Sequence, residues 1–482
     1  MGTPPRREQD PSQRLEALMR PHHLWQRVSS LTNHDSDVQV SEADPVVLRR
    51  AFDAFVSLID INDWLARRDA VEAEFQRLSA SFAGMVEPPL IQFDDTIAWY
   101  LYLCELAIAR PYELPTYYSS RALPVLGAIG SKLRFRDRVA NLKEKILETI
   151  TKRRREPDGF IFEILVALSY AEQGFAVTFI PESSDPTPDM EVEMHGESFF
   201  VECKRMSSRS QYAIAEEALW RQQWAQAEEV VRQNREWVWI DTQIHVELST
   251  LPQDWLARRL AAILPLGDRY AESVDTDATI RARIIDRTAL NADLASSSLK
   301  QAGSKLRHLL GGDWVPENAM TSLSVRGTTV SAGAPPGYFS TFFSSVEWAS
   351  GATFSCDADA SIERKARDVK THVGRAVAQV PDDGLSVLHI AFETLEGPGV
   401  ESRRLEKVVA SIEGMRSMKM VAGIILHSLQ PVDSTGQLMV IDETSAEFWR
   451  LPELRAYIPI MVVLPAGFGL TARRGNHWDS PS

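Results

Sequence analysis

The stretch Pro188-Asp189-Met190-Glu191-Val192-Glu193-Met194-His195-Gly196-Glu197-Ser198-Phe199-Phe200-Val201-Glu202-Cys203-Lys204 decides how this chain is read. Two segments alternate in polarity, Asp189 to Met194 and Phe199 to Lys204, and His195-Gly196-Glu197 sits between them as a turn. Alternate residues of a strand share a face, so Asp189, Glu191 and Glu193 point one way, while Phe200, Glu202 and Lys204 share a face of the partner strand. A turn centred near Gly196 sets Asp189 opposite Lys204 and Glu191 opposite Glu202, which brings Asp189, Glu191, Glu202 and Lys204 together. Carboxylates directed at one point repel unless a divalent cation lies between them. Hard oxygen ligands of this kind suit Mg²⁺ or Mn²⁺ rather than zinc.

On the N-terminal side lie a short strand, Phe175 to Ile180, and a helix from Asp158 to Gln173 that Gly174 can cap. Glu163 is the one charged residue in Phe160-Ile161-Phe162-Glu163-Ile164-Leu165-Val166-Ala167-Leu168. A helix apolar almost all round is a buried helix, and an unpaired buried carboxylate costs several kcal/mol. A cation or donor is therefore expected beside Glu163.

Helix Glu163, Pro188-Asp189 opening one strand and Glu202-Cys203-Lys204 closing the next resemble the PD-(D/E)XK, or restriction-endonuclease-like, nuclease superfamily. The resemblance covers about 45 residues of the 482. It implies an α/β fold: a restriction-endonuclease-like core with a mixed central sheet, carrying a helical N-terminal domain and a large α+β insertion. It further implies that Asp189 and Glu202 hold Mg²⁺ or Mn²⁺, with the Cys203 backbone carbonyl, Glu163 and optionally Glu191 as further ligands. Lys204 would orient or activate the attacking water; a plain salt bridge from Lys204 to Asp189 is the competing reading. Two similar-looking pieces fail on context. Glu363-Arg364-Lys365 lies on a helical pattern, and neither Pro157-Asp158 nor Pro381-Asp382 precedes a strand ending in Glu-x-Lys.

Beyond Lys204 two helices compete to complete such a core. Residues 209–235 follow at once. Residues 361–380 carry a regular apolar stripe and run straight into the strand-like Leu385 to Phe392, so the later helix is favoured. On that reading the chain divides into a loose polar tail (1–44), a helical domain (45–156), the first half of the core (157–208), an insertion (209–355), the second half of the core (356–470) and a C-terminal tail (471–482). The second half continues with a helix at Ser402 to Ile412 and buried strands at Val421 to Leu426 and Ile458 to Leu464. His389 and His427 sit in apolar strands and read as core histidines without a relay. Trp220, Trp224, Trp237 and Trp239 read as packing residues.

The composition bounds the rest. Of 482 residues, 44% are hydrophobic and 24% charged, with a net charge of -14, which excludes coating nucleic acid or an anionic membrane by overall charge. Cys104, Cys203 and Cys356 are too few and too scattered for a disulfide framework, and no Cys-x-x-Cys pair suggests zinc. No stretch reads as a secretory signal or a membrane span, so a cytoplasmic protein is expected. Gly303, Gly311 and Gly312 form no phosphate-binding loop, which argues against a fused ATP-driven motor.

The acidity is uneven. From Arg121 to Glu156 eleven basic residues face four acidic ones, ending in Lys152-Arg153-Arg154-Arg155 just before the Glu163 helix. Lys152, Arg153, Arg154, Arg155, Arg134 and Arg136, with Arg205 and Lys370, are the candidates for contact with a nucleic-acid backbone. The expected function is divalent-metal-dependent phosphodiester hydrolysis, with DNA the favoured substrate, in a restriction-like or genome-defence role. A catalytically silent nuclease-fold scaffold and an RNA nuclease are the alternatives, and a homodimer or a partner subunit is left open.

Overall fold

A computed structural model describes residues 10–20, 44–81, 93–182, 186–206, 210–266, 270–301, 303–313, 315, 320–331, 338–366, 370–393, 395–414, 419–434, 438–455, 458, 463–464 and 473–474. Most of the polar tail and most of the expected strand at Ile458 to Leu464 lie outside these residues. Of that strand, Ile458, Val463 and Leu464 are described, and none is in strand conformation. The architecture is mixed α/β with two mixed sheets.

The first sheet begins with β1 (Val139–Ala140), β2 (Ala176–Phe179), β3 (Met190–Met194) and β4 (Glu197–Arg205). β1 runs parallel to β2, and β2, β3 and β4 are successive antiparallel neighbours. The chain then leaves for a second sheet made of β5 (Val238–Ile244), β6 (Tyr270–Val274), β7 (Ala278–Ile284), β8 (Leu299–Lys300), β9 (Met320–Ser331) and β10 (Thr341–Cys356). It returns as β11 (Ser386–Glu393), which pairs parallel to β4, followed by β12 (Val421–Ser434), β13 (Leu438–Trp449) and β14 (Arg473–Arg474). The strand beside β4 thus comes from the later segment. The favoured single helix before it is observed as two, Asp359–Lys365 and Lys370–Gln379. The long helix after β4 is Gln211–Asn234, and it packs on the second sheet through Trp220 and Trp224.

Alternation along β11 separates two cores. Val387 and Ala391 face one side with Val201 and Cys203 of β4, under the helix Asp158–Glu172. Leu388 and Ile390 face the other, where Val373, Ala376 and Val408 cover them. The N-terminal helices Pro45–Val56, Ile61–Ser81 and Thr96–Ala109 share the first of these cores, since one apolar cluster runs from Leu48 through Leu101 to Val201. A further helix, Thr116–Lys132, lies within the stretch expected to be helical. Pro124 lies inside it, where proline removes one backbone hydrogen bond. Gly130 in that helix lies against the Val47 backbone, where a β-carbon would be 2.1 Å from the Val47 carbonyl oxygen.

The β3–β4 hairpin is tighter than the sequence suggests. Met194 pairs with Glu197, and both turn residues are left-handed, His195 at φ 55° and Gly196 at φ 85°. This is a two-residue turn of the type whose twist matches that of the strands. The register therefore pairs Glu191 with Phe200 and Met190 with Val201, not Glu191 with Glu202. The slip is two residues, so every side chain keeps its face, but Asp189 now stands across from Glu202 rather than Lys204.

The turn offers a direct test. Asparagine tolerates left-handed backbone better than histidine, so His195→Asn should raise stability by about 0.5 kcal/mol, whereas Gly196→Val should lower it by about 1–2 kcal/mol. Chemical denaturation of the three proteins checks both signs.

Candidate metal and nucleic-acid site

The site forms where β3 begins. Asp189 precedes the first paired residue of β3, and its backbone N–H still donates to Val201 O at 3.1 Å. Its side chain turns into the plane of the sheet, and Asp189 Oδ2 accepts from the Cys203 N–H at 2.6 Å. The N–H and C=O of one strand residue point to the same edge, so the Cys203 carbonyl also faces this notch, past the end of the β3 ladder. Glu202 and Lys204 project from the face opposite the helix Asp158–Glu172, and Glu202 is fully buried. Glu163 approaches from the helix itself and is 7% exposed. The Asp189 charge raises the proton affinity of both Glu163 and Glu202, and Glu163 adds to the rise of Glu202.

Each carboxylate has a defined neighbour. Lys204 Nζ bonds Glu202 Oε1, so the competing salt bridge to Asp189 is replaced by one within β4, between residues that share a face. The cation expected beside Glu163 is Lys145, from the helix Leu142–Thr151. Glu202 Oε2 is buried and receives no hydrogen bond from a donor among the described residues; its neighbour is the Asp189 carboxyl. Glu191 sits opposite Phe200 and is not among the principal groups acting on Asp189 or Glu202. Among the described residues, no three His, Cys, Asp or Glu side chains close into a complete metal-binding set. The donors on offer are two adjoining carboxylates and a backbone carbonyl. That set suits Mg²⁺, which keeps several waters and takes one or two carboxylates.

Burial pushes Glu163 up to about 8 and Glu202 up to about 9, and the Asp189 charge adds to both; the two lysines offset only part of the rise. Asp189 is raised as well, by withdrawal of its carboxyl from water against the pull of the Cys203 N–H. Burial works against the ammonium groups of Lys145 and Lys204, yet Glu163 and Glu202 outweigh it and hold both above the ordinary lysine value.

The basic candidates fare differently. Arg205 donates to Glu393 at 2.9 Å, and Arg121 donates to the same carboxylate at 2.6 Å, so Arg205 is a half-buried structural partner rather than an outward contact. Burial raises Glu393, and the two arginines more than reverse that, leaving it below the usual carboxylate range. Lys132 bonds Glu172 and Ser169, and Arg138 donates to the Gly174 carbonyl. Arg153 pairs with Glu182 at 3.1 Å and Arg154 donates to Thr151 O at 3.1 Å. Arg134, Arg136, Lys152 and Arg155 are 66%, 70%, 73% and 77% exposed, in surface pairs that cost little to break. The Lys370 side chain lies outside the described residues.

The histidines depart from expectation too. His389 and His427 are core residues, but they are linked: Tyr170 OH to His389 Nε2 is 2.9 Å, His389 Nδ1 to His427 Nε2 is 2.9 Å, and His427 Nδ1 to Glu443 Oε1 is 2.7 Å. Glu443 also accepts the Val463 and Leu464 N–H groups. Four elements supply this chain, so no local spacing announces it. Trp220, Trp224 and Trp239 are buried packing residues, and Trp237 is partly buried beneath Arg287. No helix among the described residues is long and apolar enough to cross a membrane.

The raised carboxylates fix a pH dependence. Between the ordinary glutamate value near 4.3 and the folded values of about 8 and about 9, the folded state binds more protons than the unfolded one. Metal-free protein should therefore lose stability as pH rises from about 5 to 9. Glu202→Gln should flatten that slope in denaturation curves taken across the range; an unchanged slope contradicts the assignment.

Comparisons with protein-family models, with curated proteins and with solved structures return no match to this chain.

Proposed function

We propose that this chain is a divalent-metal-dependent nuclease that hydrolyses phosphodiester bonds, with DNA the favoured substrate, on a restriction-endonuclease-like core. One observation carries the reading: Asp189 and Glu202 are brought against each other in a buried notch, with the Cys203 carbonyl directed at it and Lys204 beside it. Two buried carboxylates in contact need either a shared proton or a cation. Mg²⁺ or Mn²⁺ held by Asp189, Glu202 and the Cys203 carbonyl would supply Lewis acidity and a water of lowered pKa.

The protein's own groups do the remaining work. Lys204 is anchored on β4 two residues from Glu202, so its ammonium is positioned over the same notch to orient a water or meet developing negative charge. The exposed Arg134, Arg136, Lys152 and Arg155 offer sequence-independent backbone contacts, in keeping with a local basic surface on an acidic protein. A restriction-like or genome-defence role extends the resemblance, and a cytoplasmic setting is proposed alongside it.

The second reading is a nuclease-fold scaffold without catalysis. It is favoured by the fact that Glu163 and Glu202 each already hold a lysine. Calorimetry separates the two, because the nuclease takes up Mn²⁺ and the scaffold does not. Incubation with Mg²⁺ or Mn²⁺ and single- and double-stranded DNA and RNA gives the substrate, an RNA-only result selecting the RNA nuclease. Asp189→Asn should abolish Mn²⁺ uptake, and Lys204→Ala should lower cleavage by about 10²–10³-fold while uptake persists. Parental cleavage rates in both variants would discard the site.

A further inference from the structure

Lys145 is the component of the site that the resemblance does not supply. It lies on the helix Leu142–Thr151, ahead of the core, and is 8% exposed. Its ammonium bonds the Glu163 carboxylate and rests 4.0 Å from the centroid of the Phe160 ring and 5.5 Å from that of Phe179. A carboxylate and two aromatic faces make a fixed seat for a cation. Asp189 and Glu163 both act on this ammonium, so it belongs to the same electrostatic cluster as the notch.

Charge arithmetic gives the seat a purpose. Glu163, Asp189 and Glu202 carry three negative charges when ionised, and Lys145 and Lys204 carry two positive ones. A divalent cation and one phosphodiester group bring that total to zero. With Lys145 the metal-loaded site carries one net positive charge that attracts the phosphate; without it the loaded site is neutral and that attraction is lost.

We infer that Lys145 is a positioning residue for the metal site, which keeps Glu163 tied back as an outer carboxylate and leaves Asp189, Glu202 and the Cys203 carbonyl to bind the ion directly. This rests on the nuclease reading above. Removing the Lys145 charge releases Glu163 toward the notch and makes the notch more negative. Metal then binds more tightly while phosphate binds less well. A merely structural lysine has the opposite signature, since its loss weakens the fold and metal binding together.

The test measures Mn²⁺ affinity by calorimetry beside cleavage kinetics on the full chain. Lys145→Met preserves the length of the side chain and its packing between the two rings. It should tighten Mn²⁺ binding about tenfold and lower kcat/KM about tenfold or more. Lys145→Arg should keep both near the parent. Lys145→Met combined with Glu163→Gln replaces the ion pair by a neutral pair and should return Mn²⁺ affinity to the parental value. If Lys145→Met does not fold, Lys145→Gln takes its place with the same expected direction. A parent that takes up no Mn²⁺ overturns the nuclease reading and this inference with it. A parent that binds Mn²⁺, with a folded Lys145→Met or Lys145→Gln that binds it equally or less well, overturns this inference alone.

Discussion

Six residue pairs, from Phe200 with Ser386 to Arg205 with Ala391, join β4 to β11, and much of the molecule is arranged around them. This parallel contact turns the second sheet into an excursion from the first. It gives β4 a neighbour on the side away from β3. It also sets Glu202 beside Leu388, within an apolar layer that includes Ile390 and Ile424, so the carboxylate has little water to solvate it. The electrostatics of the notch follow from that pairing, because burial is the largest influence on Glu202, ahead of any single neighbour.

The hairpin explains how much of the site could be read in advance. Strand alternation fixes faces, and a two-residue error in register leaves faces unchanged, so the grouping of Glu202 with Lys204 survives a turn that is tighter than expected. The opposing pairs do not survive it, because turn length alone decides them. His195 hides the turn type: Asn-Gly or Asp-Gly announces two left-handed residues, whereas His-Gly does so weakly. Asp189 illustrates another limit. Strand periodicity assigns it a face, but it stands just before the ladder and spends its side chain on the Cys203 N–H.

Elsewhere, legibility tracks local pattern. The buried helix around Glu163 and the strand β11 show in the sequence because they are almost wholly apolar, and β4 shows because its polarity alternates. β10 and β13 do not show. β10 carries four serines scattered through its 16 residues, and β13 reads Asp442-Glu443-Thr444-Ser445-Ala446-Glu447 through its middle. Basic residues mislead in another way. Composition counts charge, whereas the fold decides what each charge faces. Lys132, Lys145 and Arg121 of the basic stretch, with Arg205 beyond it, turn inward to Glu172, Glu163 and Glu393.

The parallel pairing of β4 with β11 also governs the order in which the molecule can be assembled. β3 and β4 leave the ribosome as a local hairpin, but the strand that covers β4 follows only after about 180 residues, or roughly 10–40 s of synthesis. Through that interval β4 is an open edge, the kind of surface on which nascent chains stick together. It ends in Glu202, Lys204 and Arg205, three charges along the waiting edge, which discourage pairing with a foreign strand. Residues that later gather at the notch thus guard the unfinished sheet.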